Sequence, residues 1–205
     1  MQQLSGILFD IGGVLVALDG VPTLARLLRV EESHEVIHAL WLSSSSVVLH
    51  ETGKLPTSEF AEGVIADLEL PISPEAFLQE FMAWPSALHP GALELLDAIP
   101  NSYRVAALSN TCSAHWEKIS AMGLEGRFDQ TYLSHQIGYL KPSREAYEIA
   151  LEGMKLPAAE VLFLDDSLRN VEAARSVGMN AHLAMNLEDA RAVLETHGVV
   201  STLNR

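Results

Sequence analysis

The chain has 205 residues, and its 13 basic residues against 27 acidic ones give a formal net charge of -14. A surface of that sign repels nucleic-acid phosphates and anionic membranes, so neither is an expected partner. A single cysteine, Cys112, excludes an internal disulfide framework and a cysteine-built zinc site, and no apolar run approaches the ~18 residues that span a bilayer.

The length suits one core that carries a sizeable insertion. The N-terminus reaches its first strand without a preceding basic segment, so no secretory signal is expected and the expected location is cytoplasmic. An acidic surface also repels anionic substrates. A phosphate site in this chain must therefore be a local exception, built from a few cations, hydroxyls and backbone N–H groups.

The run Gly6-Ile7-Leu8-Phe9 reads as a buried strand that ends on Asp10, followed by Ile11, Gly12 and Gly13. On its own, Asp10 is equally an Asx-turn former. From about Pro22 to about Gln79 the apolar spacing is helical, with starts at Ser33, at Thr57-Ser58-Glu59 and at Ser73-Pro74-Glu75, which predicts roughly four helices. Ser43 to Ser46 reads as a kink or loop within them.

The chain turns between Trp84 and Gly91, and then strands and helices alternate. Strands are predicted at Tyr103 to Leu108, Gln130 to Leu133, Val161 to Leu164 and Ala181 to Met185. Helices are predicted from Ala92, Ser113, Pro142, Ser167 and Leu187. The expected fold is α/β: a Rossmann-like parallel sheet covered by helices on both faces, with an all-helical insertion after the first strand. Residues 1–17 and 86–205 form the core in this reading and residues 18–85 the insertion, placed like a lid over the strand ends.

The strand ends carry chemistry. Asp10 ends the first, Ser109-Asn110-Thr111 the second, and Asp165-Asp166 the fourth, with Lys141 just ahead of a predicted helix start at Pro142. In a parallel sheet these ends share one edge, where ligands bind. Paired carboxylates suit Mg²⁺, Ser109 and Asn110 can donate to a phosphoryl oxygen, and Lys141 supplies a compensating charge. Asp10 could then attack phosphorus as a carboxylate nucleophile.

These four pieces, in this order, resemble the motifs of the haloacid dehalogenase superfamily: Phe9 to Leu15, Leu108-Ser109-Asn110, Lys141-Pro142, and Leu164 to Asn170 with Ala173-Ala174. The helical insertion sits where that superfamily has a small α-helical cap. Within it the chain is most similar to bacterial phosphatases of the α-glucose-1-phosphate type, through His50-Glu51-Thr52-Gly53-Lys54-Leu55 and Tyr132-Leu133-Ser134. The resemblance implies Asp10 as nucleophile and metal ligand, Gly12 as a ligand through its carbonyl, Ser109 and Asn110 as phosphoryl binders, and Lys141 as counter-charge. It places Asp166 on the metal-binding position, with Asp165 as its neighbour and Asn170 as a supporting polar residue. The implied cofactor is Mg²⁺ and the implied partner a small phosphorylated metabolite.

The chain departs from the superfamily's phosphatases at Gly12, where most carry a second Asp that acts as general acid and base. Loss of such a group costs ~10²–10⁴ in rate. A better leaving group, metal-bound water or a side chain from the helical segment could cover it. Glu51, His50 and Lys54 are the candidates there, although each reads first as a solvated helix end. Two rival readings follow: a 2-haloacid dehalogenase, which needs no proton for its leaving halide, and a catalytically weak binding or regulatory protein. Cys112, His115, His135 and His182 read as packing or surface residues. Trp41, Trp84 and Trp116 read as packing, with Trp41 or Trp84 as an alternative sugar-pocket wall.

Overall fold

The computed structural model describes residues 3–201. Its centre is a five-stranded, all-parallel sheet in the order β5-β4-β1-β6-β7. The strands are β1 (Gly6–Phe9), β4 (Arg104–Ser109), β5 (Gln130–Leu133), β6 (Val161–Asp165) and β7 (Asn180–Leu183). A separate antiparallel pair joins β2 (Val16–Leu18) to β3 (Pro85–Leu88).

Five helices lie between β2 and β3: α1 (Gly20–Leu28), α2 (His34–Ser43), α3 (Ser45–Glu51), α4 (Thr57–Leu68) and α5 (Pro74–Ala83). The rest follow the sheet's crossovers: α6 (Ala92–Asp97), α7 (Ser113–Ile119), α8 (Ser134–Ile137), α9 (Arg144–Met154), α10 (Leu168–Ser176) and α11 (Leu187–Thr196).

β1 is apolar throughout because both its faces are covered. Ile7 and Phe9 join Leu95, Leu162, Leu164 and Leu194 on one side, while Leu8 joins Tyr147, Ala150, Phe163 and Val171 on the other. The five helices between β2 and β3 bury an apolar cluster of their own, which includes Trp41, Phe60, Phe77, Phe81 and Trp84 and takes in Cys112. Both outer tryptophans are thus packing residues, with Trp41 6% and Trp84 8% exposed.

The expected α/β sheet is present, with differences at the edges. The helical stretch holds five helices rather than roughly four, because the Ser43-to-Ser46 kink ends one helix and starts the next: Ser44 accepts a hydrogen bond from Val47 N as the cap of α3. Ser33 and Ser73 cap as predicted, but α4 starts behind Pro56 without a side-chain cap. β2, which the sequence does not mark as a strand, and β3, read as a turn, form a ribbon of three and four residues. The helix expected from Pro142 begins instead at Arg144, since Ser143 is extended. The helix from Ser113 passes into a π-helical turn at Ser120–Leu124, where Gly123 takes a positive φ of 105°. No helix among the described residues is long and apolar enough to cross a membrane.

Candidate active site

β1, β4 and β6 are neighbours in the sheet, so their carboxyl ends place Asp10, Ser109 and Asp165 side by side. Asp10 is tied to this edge by its backbone N–H, which donates to Leu164 O at 2.8 Å. Its Oδ1 accepts from the next backbone N–H, that of Ile11, at 2.6 Å. The same Oδ1 lies 2.9 Å from Lys141 Nζ. Among the described residues Oδ2 has no hydrogen-bond or ion-pair partner.

Lys141 reaches the edge from the loop after α8, with its side chain only 1% exposed. It bridges Asp10 to Asp165, whose Oδ2 stands 2.7 Å from Nζ. Burial opposes its charge, yet the Asp10 and Asp165 carboxylates hold its ammonium above the ordinary lysine range. Burial likewise pushes the Asp10 carboxyl up to about 8, with Asp165 and Asp166 adding to the effect and Lys141 pulling against it. A carboxylate in this setting needs cations to stay ionised, and that is the electrostatic demand of the site.

Asp165 is fully committed. Its Oδ1 accepts from Ser167 N at 2.9 Å and from Asn170 Nδ2 at 3.0 Å, while Oδ2 takes Lys141. It is a positioning residue for Lys141 and a poor candidate to ligate an ion. Asn170 is held in turn by Tyr147, whose hydroxyl donates to Asn170 O at 2.9 Å. Carboxylate oxygens of Asp10, Asp165 and Asp166 all lie within 4.8 Å of one another. Gly13, at a φ of +74°, makes room for Asp166: a Cβ there would stand 2.0 Å from Asp166 Oδ2. Within that group the hard oxygens of Asp10 and Asp166, with a glycine cradle beside them, fit Mg²⁺.

Ser109 is buried and its hydroxyl makes no hydrogen bond among the described residues, which leaves it open to a phosphoryl oxygen. Asn110 behaves differently from the expectation that its amide donates to substrate. Its Nδ2 donates to Lys141 O at 2.9 Å and its Oδ1 accepts from Lys141 N at 2.7 Å, so the side chain clamps the main chain of the lysine. Gly12 has a Leu18 neighbour: a Cβ on Gly12 would meet Leu18 Cδ1 at 2.4 Å.

The residues read as solvated helix ends divide. Lys54 is exposed, but His50 is buried against Phe60, with ring centroids 4.0 Å apart, and burial lowers it to about 4. Glu51 is partly buried and accepts from Trp41 Nε1 at 3.1 Å. Periodicity alone does not show either contact, because both cross between helices. Tyr147 was equally invisible as a site residue, since it falls on the buried stripe of α9 beside Ala146 and Ala150. His115 and His135 bond the carbonyls of Phe81 and Thr111, as structural residues do.

The profile of the haloacid dehalogenase-like hydrolases matches residues 4–178. Over 203 residues the chain is 25% identical to a D-ribitol-5-phosphate phosphatase of Bacteroides thetaiotaomicron, an alignment that takes in 94% of this chain and 97% of the relative. A haloacid dehalogenase family enzyme of the same organism, solved with magnesium and inorganic phosphate, superposes with a TM-score of 0.71 at 24% identity, covering 88% of this chain and 93% of the other. An L-2-haloacid dehalogenase superposes with a TM-score of 0.64 at 20% identity, covering 89% and 86%. At these identities the two structural likenesses establish the fold.

Proposed function

Because this chain belongs to the haloacid dehalogenase-like hydrolase family, we propose that it is a magnesium-dependent phosphatase that hydrolyses a small phosphomonoester, of the sugar or polyol phosphate class, through an aspartyl-phosphate on Asp10. The observation that carries this reading is Lys141, held between Asp10 and Asp165 next to the Asp166 carboxylate. A buried ammonium beside an open carboxylate oxygen suits a dianionic phosphoryl group being attacked by that oxygen.

Asp10 attacks phosphorus, while Lys141 and the Ser109 hydroxyl hold the phosphoryl oxygens. Asp165 and Asn110 keep Lys141 aimed, one through its ammonium and the other through its main chain. Asp10, Asp166 and the Gly12 carbonyl would hold Mg²⁺, which when bound supplies positive charge against the transferring group. The helices of residues 18–85 act as a cap over this edge and carry the contacts to the sugar or polyol. The likeness to a D-ribitol-5-phosphate phosphatase along nearly the whole chain supports this substrate class.

The test is phosphate release from a panel of sugar and polyol phosphates. Release that depends on Mg²⁺, stops on chelation and is abolished in Asp10→Asn is the expected result. Chloride release from a 2-haloacid without metal would instead establish the dehalogenase chemistry, and phosphate binding without turnover a binding protein.

A further inference from the structure

Gly12 and Gly13 follow Asp10 directly, and a residue without a Cβ restricts its own dihedral angles less than any other. What fixes Gly13 at a φ of +74° is therefore supplied by its surroundings. Its N–H donates to Val16 O at 2.8 Å, inside a turn closed by Leu15 N and Val16 N on Ile11 O, each at 2.9 Å. Its carbonyl is held by a side chain 76 residues further along the chain: His89 Nε2 stands 3.0 Å from Gly13 O. A carbonyl can only accept, so this Nε2 carries the proton.

The imidazole is presented by a main chain that is itself fixed on both sides. His89 follows β3, where the chain returns from the five helices. Its N–H donates to Leu15 O at 2.9 Å, and its carbonyl accepts from Ala92 N at 3.0 Å, where α6 begins. Leu95 of α6 lies in the same buried cluster as Ile11, Val14 and Leu15. The peptide between Gly12 and Gly13 is trans, so the bond from Gly13 N–H to Val16 also sends the Gly12 carbonyl the opposite way. Both peptide planes that flank the Gly13 Cα are thus pinned, one by Val16 and the other by His89. Asp166 packs against that same Cα, in the space a Cβ would take.

We propose that His89 is a positioning residue for the Mg²⁺ site: by holding the Gly13 carbonyl it keeps the Gly12 carbonyl and the Asp166 carboxylate in place, so the affinity of the sheet edge for the ion depends on a side chain of the returning connection. The inference rests on the metal ligands named in the phosphatase reading, which are Asp10, Asp166 and the Gly12 carbonyl. Without His89, no hydrogen bond among the described residues restrains the Gly13 carbonyl, and rotation about that glycine changes the shape of the cradle that Asp166 occupies. The bond runs from one N–H of the ring to one carbonyl. A replacement that restores the N–H alone should therefore restore the site, whereas a role in packing would require the ring.

The test is titration calorimetry of the full chain with Mg²⁺ in the absence of substrate. His89→Ala, and His89→Asn, whose amide is too short to replace Nε2, should each bind Mg²⁺ ~10- to 100-fold more weakly than wild type, the scale on which metal sites respond to the loss of a supporting hydrogen bond. His89→Gln, whose longer amide carries an N–H to the reach of Nε2, should recover most of that affinity. Should His89→Ala fold poorly, the contrast between His89→Asn and His89→Gln decides. Wild-type affinity in His89→Ala or His89→Asn, or a loss in His89→Gln as large as in His89→Asn, overturns the proposal while Mg²⁺-dependent phosphate release by the wild type upholds the phosphatase. A wild type that binds no Mg²⁺ overturns the proposal as well, and one that also releases no phosphate from sugar and polyol phosphates overturns both.

Discussion

The carboxylate of Asp166 occupies the space that a side chain on Gly13 would need, with Oδ2 only 2.0 Å from the position of such a Cβ. Gly13 also has a φ of +74°, which an L side chain rarely adopts. Gly13→Ala should therefore push Asp166 aside and weaken Mg²⁺ binding ~10- to 100-fold, the scale seen when a metal ligand loses its support. Titration calorimetry with Mg²⁺ measures this directly, and an unchanged affinity would remove Asp166 from the ligand set.

Asp165 should matter through Lys141. Asp165→Ala leaves a lysine that is 1% exposed with Asp10 as its remaining carboxylate, and strips the acceptor from Asn170 and Ser167 N. Breaking a buried pair of this kind costs ~3–5 kcal/mol. Urea denaturation should show that loss together with a fall in kcat, and a variant as stable as the parent would mean that Asp165 does not support the lysine.

Gly12→Asp tests the place where the proton donor is absent from the core. The backbone there is not at positive φ, and the obstacle is the end of Leu18, which is 45% exposed and can swing away. The variant should fold with a stability within ~1 kcal/mol of the parent. On the phosphatase reading, Gly12→Asp should raise alkyl-phosphate kcat/KM at least ~10-fold over the parent if no other group supplies the proton. An unchanged rate would mean that the proton is already supplied elsewhere.

The pH dependence of stability gives an independent readout of Glu51. Its carboxyl rises from 4.5 to about 7 on folding, so the folded chain binds that proton more tightly than the unfolded one. The resulting stabilisation is complete below pH 4.5 and is lost as pH climbs through 7. Glu51→Gln cannot titrate, so its stability relative to wild type should improve by ~1–3 kcal/mol between pH 4.5 and 7.5. Parallel denaturation curves across that range would place Glu51 in water.

Much of the sheet was legible because burial on both faces leaves a continuous apolar run, as in Ile7-Leu8-Phe9, and parallel strands send their terminal polar residues to one edge. That is why Asp10, Ser109, Lys141 and the Asp165-Asp166 pair could be read as neighbours across more than a hundred residues of chain. The roles within the group were harder to read. Asn110 looks like a substrate donor until its amide is seen to grip both main-chain polar groups of Lys141. Asp165 and Asp166 are adjacent in sequence, yet one is surrounded by donors and the other faces Gly13. Short elements such as β2 carry too few residues for an alternation to register, and the burial of His50 and Glu51 depends on other helices.

The ribbon of β2 and β3 has one more consequence. Asp19 N donates to Trp84 O at 2.9 Å, so the chain departs from the sheet and comes back to it at the same spot. Everything between those two residues is, in effect, a loop whose ends are already joined. A replacement of any length would incur only the slowly rising entropy of closing a larger loop. Asp10, Ser109, Lys141 and Asp166 lie outside that stretch, so on the phosphatase reading a different segment there would change substrate preference without disturbing the sheet edge. A graft of residues 20–83 from a relative with a different substrate onto this sheet should carry that preference with it.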